Sequence, residues 1–116
     1  MRRLTTHVLD TAIGRPAAGV RIELWRPSDA PVLLKSTVTN ADGRADEPLL
    51  AGDEAKAGRY ELRFFVGDYF RSRNSDMPEP LFLDIVPVQF AMADAPEHYH
   101  VPLLISPFGY STYRGS

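Results

Sequence analysis

HYHVPLLISPFGYSTYRGS, residues 98–116, alternates through its first half: Tyr99, Val101, Leu103 and Ile105 are apolar, and His98 and His100 fall between them. Successive side chains of a strand point to opposite sides of a sheet. The apolar set therefore faces a core, and the two histidines share the opposite face. Ser-Pro-Phe-Gly at 106–109 supplies turn residues, so Tyr-Ser-Thr-Tyr reads as a strand folded back on the first. If Tyr110 packs inward on that return strand, Ser111 and Tyr113 point outward with the histidines.

The same period of two recurs at Leu4–Leu9, Val20–Trp25, Val32–Val38, Tyr60–Val66 and Leu83–Met92. Between these runs lie GRPAAG, RPSDAP, NADG, AGDEAKAG and SDMPEP, whose Gly, Pro, Asp and Ser residues favour turns. One stretch, Gly67–Ser75, lacks alternation and reads as a short surface helix. Seven or eight strands with at most one helix predict an all-β sandwich of two sheets. The 116 residues fit one domain, 1–116, large enough to bury roughly two thirds of its unfolded surface. Pro87 removes a ladder donor and predicts a sheet edge or bulge. Pro102 predicts an interruption in the histidine strand.

On the first strand Leu4, Thr6 and Val8 share one face, and Thr5, His7 and Leu9 share the other. With Leu4 and Val8 in the core, His7 points outward. All three histidines of the chain thus fall on non-core faces. Imidazoles on a half-buried polar face suit acid–base chemistry near neutral pH.

Composition narrows the alternatives. The chain has no cysteine, which excludes disulfides and thiolate chemistry. A net charge of −2 gives no basic footprint for nucleic acid. No segment approaches the ~20 apolar residues of a membrane helix, and the N-terminus has no signal-peptide core. No membrane partner and a cytoplasmic location are expected. Nucleotide-loop, hydrolase-elbow and zincin motifs are absent. Asp42-Gly43 reads as a tight hairpin turn. Asp84, Asp94 and Glu97 read as solvated carboxylates. Histidines 7, 98 and 100 could reach one metal ion, but no carboxylate partner accompanies them, so neither metal nor cofactor is expected.

LTTHVLDTAIGRPAAGV, TNADGRAD, GRYELRFFVGDYF and above all HYHVPLLISPFGYSTYRGS closely resemble the 5-hydroxyisourate hydrolases, transthyretin-related enzymes of purine breakdown. The resemblance spans nearly the whole chain. It implies a transthyretin-like sandwich of two four-stranded sheets with one short helix, and a homotetramer, a dimer of dimers, with sites in a channel between dimers. The implied reaction opens the ring of 5-hydroxyisourate, a small-molecule substrate, to 2-oxo-4-hydroxy-4-carboxy-5-ureidoimidazoline. Carried over by motif, the catalytic residues are His7, Arg44 and His100, and Tyr113 of the terminal Tyr-Arg-Gly-Ser binds substrate. In the reading adopted, His100 with His7 as partner deprotonates water, although the sequence does not decide which is the base, and Arg44 stabilises negative charge. His98, Ser111, Arg114 and the Ser116 carboxylate complete the expected binding set. Two rivals are a non-catalytic transthyretin-like carrier of a small ligand and a structural sandwich for adhesion or assembly.

Overall fold

The computed structural model describes residues 2–116. Its elements in chain order are β1 (Arg3–Asp10), β2 (Arg15–Pro16), β3 (Arg21–Arg26), β4 (Val32–Val38), β5 (Leu50–Ala51), a single 3-10 turn at Gly52–Glu54, β6 (Gly58–Phe65), α1 (Val66–Arg73), β7 (Ile85–Met92), β8 (Tyr99–Ser106) and β9 (Gly109–Thr112). They form two sheets: β2-β1-β8-β9, with β5 also paired to β1, and β4-β3-β6-β7. This is the expected all-β sandwich. One sheet has four strands, and the two-residue strands β2 and β5 raise the other to five; such short strands leave no alternation to read. Helix α1 starts one residue earlier than expected, taking Val66 from the preceding strand, and ends at Arg73.

The core follows the parity of the sequence. Leu4 and Val8 of β1 and Tyr99, Val101, Leu103 and Ile105 of β8 are buried on one side, against Ile22, Leu24, Leu62, Phe64, Val86 and Val88 from the other sheet. Each such burial contributes about 1.5–3 kcal/mol relative to exposure, and slipping either strand by one residue would turn its histidines inward. Among the described residues, no helix is long and apolar enough to cross a membrane.

Both proline expectations have a structural outcome. Pro87 lies on β7, the outermost strand of its sheet, where a missing donor costs little. Strand β8 is not an edge, since it lies between β1 and β9. Its ladder with β9 runs from Ser106↔Gly109 to Leu103↔Thr112 and reappears only at His100↔Gly115. In an antiparallel pair the hydrogen-bonded positions alternate, so the omitted position is Pro102 opposite Tyr113. Proline has no N–H to give the Tyr113 carbonyl, and the Thr112 hydroxyl occupies the Pro102 carbonyl instead at 2.7 Å. The chain therefore leaves the ladder at Tyr113.

Two groups of carboxylates are buried despite the surface reading of the acidic residues in general. Glu23 and Glu61 sit on the outer face of the four-stranded sheet, covered by Arg21, Arg63 and Trp25. The Gln89 and Arg63 hydrogen bonds hold the Glu61 carboxyl below its ordinary range. Asp10, also buried, accepts a hydrogen bond from the Tyr69 hydroxyl at 2.8 Å and thereby pins α1 to β1. Burial first, and then that bond, push the Tyr69 phenol up to about 12, so it remains a donor at any ordinary pH. Tyr69→Phe leaves one oxygen of a buried carboxylate without its partner, the other keeping the Ala12 N–H, and is expected to cost about 1–3 kcal/mol, read as a lower urea midpoint at unchanged slope.

Candidate active site

The outer edge of β1 is covered in three pieces. β2 pairs with Leu9 and Asp10, β5 pairs with Arg3 and Leu4, and the gap between them is filled by the turn at Asn40–Arg44. Within that turn the Asn40 side-chain oxygen accepts from the N–H groups of Asp42 and Arg44, and the Gly43 N–H bonds the Asn40 carbonyl. Gly43 has φ +75°, and a Cβ there would stand 2.3 Å from the Val8 carbonyl oxygen, so only glycine permits the docking. The Val8 N–H donates to the Gly43 carbonyl at 2.8 Å, and His7 bridges to Arg44. The sequence reading of Asp42-Gly43 as a hairpin turn is corrected here: the turn joins β4 of one sheet to β5 of the other, and its role is to set Arg44 beside His7.

The parallel pairing of β1 with β8 puts Thr5 opposite His100 and His7 opposite Pro102. Paired residues share a face, so Thr5, His7, His98 and His100 emerge on the same side. The Thr5 hydroxyl lies 2.9 Å from Nδ1 of His100 and 3.3 Å from Nε2 of His98, whose rings are nearly parallel with centroids 6.5 Å apart. Nε2 of His7 donates to the Asp42 carbonyl at 2.8 Å, because a carbonyl can only accept. Burial first, then the Arg44 guanidinium and the neighbouring His7 and His98, hold the His100 imidazole below its ordinary pKa, so its neutral form dominates at neutral pH; the nearby Thr5 backbone acts in the opposite sense.

Thr5, His98, His100 and Arg44 open onto a cleft of about 380 Å³ that Arg3 and Ser116 also line; His7 is not among its lining residues and adjoins it through the backbone bridge to Arg44. Among the described residues, Arg44 makes no salt bridge, so its fork of donors is available to a flat, oxygen-rich ligand. No three of the described His, Cys, Asp or Glu side chains converge closely enough to hold a metal ion.

The fold is shared with other proteins. Residues 4–115 match the family model described as HIUase/Transthyretin family. The chain belongs to the HIUase/transthyretin family. A relative from Mesorhizobium japonicum, 5-hydroxyisourate hydrolase, is 64% identical over 98% of this chain and 92% of its own length. Among solved structures, the 5-hydroxyisourate hydrolase of Klebsiella pneumoniae is similar with a TM-score of 0.82 at 36% identity, covering all of both chains. Transthyretin from Sparus aurata is similar with a TM-score of 0.85 at 26% identity, covering 97% of this chain and 96% of its own.

Against the set expected from the HIUase/transthyretin resemblance, Arg44, His98, His100 and Ser116 meet in one cleft, with His7 bridged to Arg44. The rest of the set lies elsewhere in the chain. Tyr113, 58% exposed, and Arg114 line a separate apolar cleft with Val88, Phe90 and Tyr99. Arg114 pairs with Glu97 at 2.8 Å and lies over the Tyr99 ring. Ser111 is exposed on β9 and lines neither cleft. Tyr110 does not pack inward within the chain, being 47% exposed, because nothing in the sandwich covers β9.

Three residues of the site were not singled out from sequence. Thr5 carried a signal, since parity already placed it with His7. The Asp42 carbonyl and Gly115 carried none. The Gly115 N–H bonds the His100 carbonyl at 2.8 Å, and a Cβ on Gly115 would come within 2.6 Å of the His100 ring. The terminal Gly-Ser is therefore a wall of the histidine's pocket.

Proposed function

We propose that the chain is a hydrolase that opens 5-hydroxyisourate to 2-oxo-4-hydroxy-4-carboxy-5-ureidoimidazoline. The observation that carries this is the meeting of the His98 and His100 imidazoles at one cleft with Arg44, which makes no salt bridge among the described residues, and with His7 bridged to Arg44 alongside, in a chain whose full-length relatives are named for that reaction. Water must add to a ring carbonyl, the negative charge on its oxygen must be stabilised, and the carbon–nitrogen bond must break with a proton delivered to the departing ring nitrogen. His7 and His100 act on the water and the carbonyl, one as the base and the other as its partner. Arg44 orients the flat ring and meets the charge that develops on the carbonyl oxygen. Since Nε2 of His7 is committed to the Asp42 carbonyl and Nδ1 of His100 to Thr5, the nitrogens left to meet substrate and water are Nδ1 of the first and Nε2 of the second.

The assembly that fits this reading is a homotetramer. Supporting association, β7 and β9 are open strand edges carrying exposed Ile85 and Tyr110, with Phe108 on the turn before β9 and Tyr113 just after it. Light scattering should give four times the 12.9 kDa chain mass. Tyr113, and with it Ser111 and Arg114, is assigned to substrate in that assembly.

Turnover separates this function from a carrier: the protein should consume many equivalents of substrate per protomer, whereas a carrier saturates at one. A further expectation concerns the wall behind His100. Gly115→Ala should displace the imidazole and lower kcat by about 10- to 100-fold, the scale of an ångström-sized misplacement, with the circular dichroism spectrum unchanged.

A further inference from the structure

The hydroxyl of Thr5 has a single proton and touches ring nitrogens of two histidines, Nδ1 of His100 and Nε2 of His98. Its oxygen could accept from both rings, but its own proton would then have no acceptor among the described residues; with that proton used, it donates to one ring and accepts from the other. The two imidazoles cannot choose their tautomers independently. If Thr5 donates to His98, then His98 must carry its own proton on Nδ1. That nitrogen is buried and has no hydrogen-bond partner among the described residues. An N–H left unmatched in the interior is rarer and costlier than an unmatched acceptor. The buried Nδ1 is thus better bare, with the His98 proton on Nε2, donated to Thr5, and the Thr5 proton donated to Nδ1 of His100.

Resting on the hydrolase reading above, we infer that neutral His100 presents an Nε2–H donor to the cleft and polarises the substrate carbonyl, and that the base is Nδ1 of His7. Thr5 and His98 are positioning residues that fix this arrangement. Among the described residues neither Nε2 of His100 nor Nδ1 of His7 has a hydrogen-bond partner, and neither is fully buried. Because the Asp42 carbonyl holds the His7 proton on Nε2, Nδ1 of His7 keeps the lone pair that takes a proton from water. That proton is later released to the departing nitrogen. A neutral imidazole aided by Arg44 acts here as an electrophile, in the way a neutral histidine does in triosephosphate isomerase. The charged and titratable groups around it are Arg44, His7 and His98, with Arg3, Asp46 and Glu47 elsewhere in the cleft.

Nitrogen NMR of the full chain, labelled with ¹⁵N-histidine and recorded at about pH 8.5, well above an ordinary imidazole pKa of about 6.5, reads the tautomers without substrate. All three histidines should carry the proton on Nε2. In Thr5→Val an Nδ1–H form of His100 should appear, and Thr5→Ser should suppress it again. In kinetics, His100→Gln keeps an N–H donor but cannot act as a base, and should turn over at least about tenfold faster than His100→Ala. An Nδ1–H His100 in the unaltered protein would overturn the inference, as would equal activity of the glutamine and alanine variants. A protein with the expected tautomers but no turnover would instead sink the hydrolase reading and leave the tautomer assignment standing.

Discussion

Replacing His100 with alanine lowers kcat/KM for 5-hydroxyisourate by roughly 10²-fold or more, the scale of one acid–base or oxyanion contribution, and leaves the sandwich intact. The side chain leaves β8 on the face opposite Tyr99, Val101 and Leu103, so its removal opens no hole in the core. Thr5 keeps its contact with His98. The variant should also lose less stability in acid. Burial and the nearby positive groups depress the pKa of folded His100 below that of the unfolded chain. As pH falls below about 6.5 the unfolded chain therefore binds the proton first, and the intact protein loses stability through that window. Urea midpoints at acid and neutral pH should differ less in His100→Ala than in the unaltered chain. Turnover near the original rate would remove His100 from the mechanism.

Arg44→Ala should cost about as much, roughly 10²-fold or more in kcat/KM, with a folded turn. The turn is held by the Asn40 side chain and by backbone groups, none of which belongs to the arginine side chain. Arg44→Lys keeps the charge but loses the planar fork and should recover only part of the rate. Removing the cation should also move the His100 pKa upward, because Arg44 is the second cause of its depression after burial. A rate in Arg44→Ala within a few-fold of the original would show that the charge stabiliser lies elsewhere.

The sandwich and the outward histidines were legible because both rest on parity. Tyr99, Val101, Leu103 and Ile105 are buried and His100 lies half-buried between them, as the alternation requires. β2 and β5 were not legible, since two residues make no pattern. Nor was the docking of the Asn40–Arg44 turn, because Asp-Gly marks a turn without saying which strand edge receives it. The buried Glu23 and Glu61 escaped for a similar reason: besides their in-strand neighbours Arg21, Trp25 and Arg63, their cover includes Gln89 reaching Glu61 and Arg63 stacking on Trp25 from the next strand, cross-strand contacts that linear spacing does not encode. Tyr113 illustrates the opposite limit. Its parity was readable only for a continuous ladder, and Pro102 ends that ladder opposite it.

The most direct test is the decay of freshly generated 5-hydroxyisourate, followed by ultraviolet absorbance, with protein present at a small fraction of the substrate concentration. Acceleration proportional to protein concentration, continuing over many turnovers and lost in His100→Ala and Arg44→Ala, is the predicted result. Decay at the spontaneous rate, or a loss of substrate that stops at one equivalent per chain, would contradict it.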